Sequence, residues 1–275
     1  MTISIISVKK LCRSAATYIE SCQLEDGGYF FARIPPSSAM DTYYAIKSLS
    51  IMGLTPARLH DIKDFLTKAV EGKTLKSING LFAVIESFYE LGEKCTASEH
   101  ILKILHSLGN KAGGFGAIEN LDIEVVSELE TTYRAIKIMN RLRIDFDKKQ
   151  IADFVLRFNN PDGGFGYGGI STLASTYYAT EIFKIIGPEY NDSSHLKGYL
   201  NTLRNSHQIN YLEEIFWISM IFRNTGRILA DNAILDFIIG CQRSNGGFAR
   251  KDVIGIPTLE DTYYALSALN AMGYI

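Results

Sequence analysis

The sequence predicts an all-α fold of six helical hairpins, because one pattern returns along the whole chain of 275 residues. The stretch CQRSNGGFARKDVIGIPTLEDTYYALSALNAMG at 241–273 repeats CQLEDGGYFFARIPPSSAMDTYYAIKSLSIMG at 22–53. Two further copies lie at 112–140 and 162–187, and each has a Gly-Gly pair, an aromatic residue, a loop and a helix that opens on Thr-Tyr. Such a repeat is one supersecondary unit that buries its apolar face against its neighbours.

The spacing of the Gly-Gly pairs predicts two additional, weaker copies. The pairs are separated by steps of 86, 50 and 83 residues and begin at Gly27, Gly113, Gly163 and Gly246. The two long steps contain LFAVIESFYELG at 81–92 and IFWISMIFRNTG at 215–226, which keep the helix pattern without the Gly-Gly signal. Six units of roughly 40 to 50 residues therefore fill the chain. We expect them to form a single domain over residues 1–275.

The first helix of each hairpin has one apolar and one polar face, as expected of an outer layer. Ile234 and Ile238, for example, recur at helical spacing. Thr55 and Pro56 are typical of an N-cap and a first helical turn. The predicted first helices span residues 8–22, 56–70, 98–108, 147–158, 193–204 and 231–241.

The second helix of each hairpin is apolar or small nearly all round, which is typical of a helix buried on every side. The predicted second helices begin near Asp41, Asn79, Glu130, Ser175, Glu213 and Asp261. One aligned column contains N-cap residue types and reads Asp41, Thr131, Ser175 and Asp261. Capping explains this column without any chemistry, and a catalytic role of Asp41 or Asp261 is the alternative.

The Gly-Gly-aromatic element is predicted to be structural. Glycine permits a positive φ and a close approach of the backbone. A phosphate-binding loop would need a strand before it and a helix directly after it, and the sequence has neither.

The composition predicts a globular protein without an affinity for nucleic acid, because 47% of the residues are hydrophobic and the net charge is −2. The longest uncharged apolar run, 215–222, is far shorter than the ~20 residues of a membrane helix. The start MTISIISVKK places its basic residues after the apolar ones, the reverse of a secretory signal. We therefore expect a cytoplasmic protein with no transmembrane segment. Cys22 and Cys241 fall at a register predicted to be buried.

The repeat resembles a known family. Gln23 and Gln242 each begin Q-x-x-x-G-G-F/Y, and Asp41 and Asp261 each begin D-T-Y-Y-A. These motifs are similar to the repeat of protein prenyltransferase β subunits and of squalene and terpenoid cyclases, and the likeness covers nearly the whole chain. In that family six helical hairpins close into an (α/α)6 toroid around a central cavity. The resemblance thus implies an all-α toroid here, with the last second helix beside the first hairpin.

The resemblance also implies which residues line the cavity. In related toroids the cap column and the residue three positions further on face inward. The lining would then be aromatic apart from one cation. Four of the strong copies' residues would contribute, namely Tyr44, Arg134, Tyr178 and Tyr264. The fifth unit would add Phe216 or Trp217. The implied ligand is a prenyl diphosphate, another isoprenoid or an elongated apolar molecule. Aromatic core packing is the alternative for each single tyrosine.

Arg134 departs from the aromatic column, since three sister copies have tyrosine there. A guanidinium in an aromatic cavity would bind a diphosphate or a carboxylate through two hydrogen bonds. The alternative is a salt bridge to Glu130, which precedes Arg134 by four residues.

The metal ligands of the family are missing. Protein prenyltransferases hold zinc with D-x-C at the fifth second helix and a histidine before the sixth. The corresponding residues here are Glu213, Ile215 and Asp261. Zinc prefers thiolate and imidazole ligands, so we expect no zinc at this position. The D-x-D-D motif of protonating cyclases and the metal-binding D-D-x-x-D motif are also absent from the sequence.

Two acidic doublets begin neighbouring second helices, Glu213-Glu214 and Glu260-Asp261. Converging carboxylates could raise one pKa and supply an acid, or could bind a hard divalent ion such as magnesium; a solvated rim is the alternative. Asp261 and Glu213 are therefore the candidate catalytic residues. The sequence predicts an isoprenoid-processing enzyme, or else a non-catalytic toroid that binds an isoprenoid or a partner protein such as a helical subunit.

Overall fold

The computed structural model describes residues 5–72, 75–96, 98–116, 128–187, 196–205 and 210–275. Within them the chain forms twelve α-helices and a short 3-10 turn at Tyr167–Gly169. The extended pairings in this part of the chain are isolated β-bridges at the Gly-Gly turns. None of the described helices is long and apolar enough to cross a membrane. The helices are α1 (Ile5–Glu20), α2 (Ala39–Ile51), α3 (Leu59–Glu71), α4 (Ile78–Glu90), α5 (Glu99–Leu108), α6 (Leu129–Leu142), α7 (Lys148–Leu156), α8 (Leu173–Ile186), α9 (Leu196–Asn205), α10 (Leu212–Asn224), α11 (Asn232–Cys241) and α12 (Leu259–Ala271).

The helices alternate as the six predicted hairpins, and most predicted boundaries agree to within about three residues. The start of the predicted helix 193–204 lies outside the described residues. The prediction for Thr55 and Pro56 is wrong, because α3 begins at Leu59 after Arg58, whose side chain makes no capping bond. Amphipathic α3 buries Ile62 and Leu66, whereas α12 buries residues all along its length.

The chain divides into two compact units. Unit 1 consists of the described residues within Met1–Gly72, Glu90–Glu93 and Ile209–Ile275, and unit 2 of those within Lys73–Tyr89 and Lys94–Gln208. In unit 1, α12 packs against both α10 and α2, so the last second helix lies beside the first hairpin. In unit 2, α8 packs against α6 and α7. That one domain covers residues 1–275 stays a prediction.

The caps of the second helices lie three residues before the predicted column. Ser38, Thr172 and Thr258 are the N-caps of α2, α8 and α12, and each side chain accepts a hydrogen bond from the backbone N–H three residues on. Asp41 and Asp261 occupy the third helical position. Their backbone N–H groups donate to the hydroxyl oxygens of Ser38 and Thr258. The capping interpretation of these aspartates is therefore wrong, since another side chain already caps each helix.

A buried threonine joins each Gly-Gly turn to its second helix. The hydroxyl oxygen of Thr262 accepts the Phe248 N–H at 3.1 Å and donates to the Thr258 carbonyl at 2.6 Å. Thr42, Thr132 and Thr176 accept the equivalent N–H of Tyr29, Phe115 and Phe165 at 2.9, 3.0 and 3.0 Å. The four Thr-Tyr signals thus mark a structural clamp that satisfies buried backbone groups.

Candidate functional site

Five aromatic rings of unit 1 form one cluster, which we call the unit 1 ring cluster: Tyr43 and Tyr44 of α2, Phe216 of α10, and Tyr263 and Tyr264 of α12. The ring centroid of Phe216 lies 4.9 Å from that of Tyr264 and 5.5 Å from that of Tyr263. Tyr44 stacks on Tyr263 at 5.3 Å and meets Tyr264 at 6.3 Å. Three second helices therefore contribute to one aromatic cluster, in which Tyr43, Tyr44 and Phe216 are buried.

Glu260 links two of these rings through a single oxygen. Its Oε1 accepts the Tyr44 hydroxyl at 2.8 Å and the Tyr264 hydroxyl at 2.9 Å. Tyr264 is four residues further along the same helix, whereas Tyr44 lies on α2. Charge-assisted bonds of this kind are stronger than bonds between neutral groups. They fix the orientation of both tyrosines relative to each other.

Asp41 and Asp261 are buried carboxyl groups at the same register of α2 and α12. Burial raises the pKa of both from 3.8 to about 6. For Asp41 the Phe31 N–H, 3.2 Å from Oδ2, opposes this effect and the charge of Glu260 adds to it. For Asp261 the Thr258 hydroxyl, 2.7 Å from Oδ2, opposes it, and Glu260 and Glu213 add to it. Both groups can therefore hold a proton close to neutral pH.

Glu213 is paired with a permanent cation. Its Oε1 accepts the Arg250 Nε–H at 2.7 Å and also contacts Arg250 Nη2. The Arg250 guanidinium lies 4.0 Å from the centroid of the Tyr211 ring. Of the two predicted catalytic residues, Asp261 is thus the better proton donor by geometry, because Glu213 is bound in an ion pair.

Unit 2 contains a related arrangement around Glu130. Its Oε1 accepts Arg134 Nη2 at 2.6 Å and the Tyr178 hydroxyl at 2.9 Å. The guanidinium of Arg134 lies 5.5 Å from the Phe82 ring centroid. Burial and the charge of Glu130 raise the pKa of Tyr178 well above its usual range. The salt bridge considered for Arg134 is present, and its anion-binding role stays a prediction.

The two arrangements correspond position by position. Glu260 and Glu130 precede the predicted lining residues Tyr264 and Arg134 by four positions, and each carboxylate also binds a tyrosine of the second helix that packs alongside. The same arrangement thus occurs in the described parts of both units, with a tyrosine at this position in unit 1 and a cation in unit 2. The sequence predicted Glu130 only as an alternative salt-bridge partner of Arg134, and it predicted Glu260 only as part of an acidic doublet. The bond from Tyr264 to Glu260 was missed, although the i, i+4 spacing of the two residues indicates it.

The structure therefore brings three predicted lining residues of unit 1 together, namely Tyr44, Phe216 and Tyr264. It adds Tyr43 and Tyr263, so both members of a Tyr-Tyr pair join the rings. Trp217 follows Phe216 on α10; its indole Nε1 is buried and has no hydrogen-bond partner among the described residues.

The expected absence of zinc and the suggested binding of magnesium stay predictions. No group of three or more His, Cys, Asp or Glu side chains within the described ranges is arranged to hold a metal ion. Ile215, at the position of the family's thiolate ligand, is fully buried.

Comparisons with known proteins agree with the fold. A family model described as the prenyltransferase alpha-alpha toroid domain matches residues 3–204 and 215–275. Among solved structures, a variant of the type II terpene cyclase MstE from Scytonema is 9% identical, with a TM-score of 0.66 over 98% of this chain and 96% of that one. A protein from Actinoplanes is 13% identical, with a TM-score of 0.61 over 96% of this chain and 99% of that one.

No curated protein matches the sequence. The solved structures are too distant in sequence to show more than the fold, and they confirm the predicted all-α toroid. The family model covers almost the whole chain. The chain therefore belongs to the prenyltransferase α/α-toroid domain family.

Proposed function

We propose that the protein is an isoprenoid-processing enzyme that acts at the unit 1 ring cluster. The observation that carries this proposal is a cluster of five aromatic rings on α2, α10 and α12, together with a buried carboxyl group of pKa about 6 in the first turn of both α2 and α12. Aromatic faces bind apolar chains and attract cations. The name of the Scytonema structure, a type II terpene cyclase, supports the same class of reaction.

The proposed chemistry begins with transfer of a proton. The carboxyl group of Asp261 donates its proton to one carbon of an isoprenoid double bond, and the electron pair of that bond forms the new C–H bond. The positive charge is left on the other carbon, and the aspartate becomes a carboxylate. The faces of Tyr44, Phe216 and Tyr264 stabilise the cation. Loss of a proton from a neighbouring carbon to water quenches the cation, and a proton from solvent restores the carboxyl group of Asp261.

Substitution of Asp261 by asparagine tests this proposal. Removal of a general acid should lower turnover at least about 100-fold, while ligand binding is retained because the side chain keeps its shape. Turnover is measured by mass spectrometry after incubation with farnesyl and geranylgeranyl diphosphates, with and without magnesium. Binding is followed by the fluorescence of Trp217, the one tryptophan of the chain. Asp64→Asn, at an exposed position of α3, is the matched control.

The pH profile provides a second readout of the same experiment. The protonated form of the acid is required, so turnover should be highest below pH 6 and fall as the pH rises through the pKa of about 6. Glu213→Gln and Asp41→Asn show whether either residue shares this role. A different result would show a non-catalytic isoprenoid-binding toroid: the ligand binds with the same affinity to wild type and to every variant, and no product forms. That alternative is favoured by the ion pair that holds Glu213.

We further propose that Arg134 and Tyr178 bind an anionic group in unit 2, such as diphosphate or a carboxylate. The fork of the guanidinium matches the oxygens of these groups, which would displace Glu130 Oε1 from Arg134 and from the Tyr178 hydroxyl. Arg134→Lys keeps the charge and removes the fork, and we expect it to weaken the binding of inorganic diphosphate at least about tenfold. Calorimetric titration measures the affinity, with Arg157→Lys, at an exposed position of unit 2, as the control. Equal affinity of wild type and Arg134→Lys would contradict the proposal.

A further inference from the structure

Three serine hydroxyls in the second helices of unit 1 are buried and have no hydrogen-bond partner among the described residues. They belong to Ser48 of α2, Ser219 of α10 and Ser267 of α12, which are 0%, 1% and 5% exposed. We call these three residues the serine layer. A hydroxyl that leaves water without gaining a hydrogen bond costs free energy. Because buried polar groups in folded proteins are paired as a rule, three orphaned hydroxyls indicate a bound molecule.

Other hydroxyls of second helices are satisfied by the helix itself. Ser87 of α4 donates to the Ala83 carbonyl at 2.7 Å. Thr180 of α8 donates to the Tyr177 carbonyl at 2.8 Å. Such bonds to the preceding turn are ordinary for serine and threonine in helices. The serine layer makes no bond of this kind, so its hydroxyls remain available to a ligand.

The serine layer lies one helical turn beyond the unit 1 ring cluster. Each serine follows a ring of that cluster by three or four residues; the pairs are Phe216 and Ser219, Tyr264 and Ser267, and Tyr44 and Ser48. Residues at these spacings share one face of a helix. Each hydroxyl is therefore on the helix face that also carries an aromatic ring.

Contacts among the rings place the three hydroxyls at one level of unit 1. Tyr264 of α12 lies against Phe216 of α10 and Tyr44 of α2, and α12 packs against both helices. Because stacked repeat units are copies of one another, the three helices run in the same direction. The turn that follows the rings is thus at a matching height in each helix. None of the three hydroxyls bonds to another.

The charges near the serine layer favour an uncharged ligand group. Lys47, which precedes Ser48, is already paired with Glu90. A phosphate that met only neutral hydroxyls would be buried without a counter-charge, which is costly. The oxygen of an alcohol can accept from one serine and donate to another. An alcohol thus satisfies the hydroxyls without burying a charge.

We propose that the serine layer binds the oxygen of an uncharged, oxygen-bearing isoprenoid such as a prenyl alcohol, with the hydrocarbon chain against the unit 1 ring cluster. This inference rests on the proposed function, because it assumes an isoprenoid ligand at that cluster. It adds a selection by polarity. A site whose buried groups hydrogen-bond a ligand hydroxyl discriminates against the analogue that lacks it.

The affinities for farnesol and for farnesene, a hydrocarbon with the same number of carbon atoms, test the proposal. Both are measured by the fluorescence of Trp217. The triple change Ser48→Ala, Ser219→Ala and Ser267→Ala should weaken farnesol binding at least about tenfold, because its hydrogen bonds are lost. The affinity for farnesene should stay unchanged. Without ligand, the triple variant should unfold at the same temperature as wild type or a higher one, because alanine favours helices and unpaired hydroxyls are removed.

Ser87→Ala is the matched control, because this hydroxyl is equally buried and bonds within its own helix. The control should bind farnesol as wild type does. Equal farnesol affinity of wild type and the triple variant, with farnesene bound by both, overturns this inference alone. If the triple variant also unfolds at a lower temperature, the hydroxyls hold a permanent buried water instead. Absence of binding of either ligand to wild type would overturn the proposed function together with this inference.

Discussion

Replacement of Glu86 by leucine should lower the free energy of unfolding by about 3–5 kcal/mol, because it removes the anion from a buried ionic cluster. Glu86 of α4 is fully buried in unit 2. Its Oε1 accepts Arg141 Nε at 2.7 Å, and its Oε2 lies 3.0 Å from Lys137 Nζ. Both cations come from α6, so that one carboxylate ties α4 to its neighbour.

The pKa shifts of the cluster describe the same coupling. Burial alone would raise the pKa of Glu86, but Lys137 and Arg141 outweigh it and hold the pKa below its ordinary 4.5. Burial would lower the pKa of Lys137, and the neighbouring Tyr133 and Glu86 instead raise it. Without Glu86, Lys137 stays a buried cation that has lost a main counter-ion, which is more costly than the absence of the whole cluster.

Denaturant unfolding followed by circular dichroism measures this effect. The control is Asp153→Leu, which breaks an exposed i, i+4 ion pair with Lys149 and should change stability by about 0–1 kcal/mol. The lowered pKa also fixes the pH dependence. The contribution of Glu86 is complete above its ordinary pKa of 4.5 and is lost as the pH falls through the folded-state value. A loss below about 1 kcal/mol at neutral pH would show that the cluster is dispensable.

The fold could be predicted from the sequence because its determinants are local and repeated. The Gly-Gly pair, the aromatic residue and the Thr-Tyr pair are close in sequence, and the structure joins them by one hydrogen bond to threonine in each strong copy. The cap position was missed by three residues, because Ser38 and Asp41 are both good capping types. The structure distinguishes them, because Ser38 has the extended backbone of an N-cap and its hydroxyl accepts the Asp41 N–H.

The candidate site was only partly predictable, because its chemistry depends on contacts between distant helices. Tyr44 and Tyr264 follow from the repeat register. The bond from Tyr44 to Glu260 joins residues 216 positions apart, and no spacing in the sequence indicates it. The raised pKa of Asp41 likewise depends mainly on burial, which is a tertiary property. The Glu86 cluster lies between a weak copy and a strong one, 55 positions apart for Glu86 and Arg141, so the repeat pattern did not reveal it.

Replacement of Gly246 by alanine should lower the free energy of unfolding by about 2–5 kcal/mol, because two unfavourable effects add. Gly246 opens the last Gly-Gly turn with a φ of +92°, a conformation that L side chains rarely adopt. A Cβ there would also lie 2.1 Å from the backbone oxygen of Ser14 in α1. Gly27 meets Asp61 of α3 in the same way. At Gly27 and Gly246, therefore, the backbone of the turn packs directly against the first helix of the neighbouring hairpin.

Gly53 separates the two effects, since it has a φ of +69° and nothing within 4 Å of its added Cβ. Gly53→Ala should therefore cost only the conformational part, about 1–2 kcal/mol. The additional loss of unfolding free energy in Gly246→Ala measures the steric contact with the backbone oxygen of Ser14. A backbone atom cannot move away from the added Cβ as the end of a flexible side chain could. Denaturant unfolding of both variants gives the comparison. Equal losses at the two positions would mean that the turn relaxes away from α1, and that close packing of backbone between hairpins is not what the Gly-Gly signal preserves.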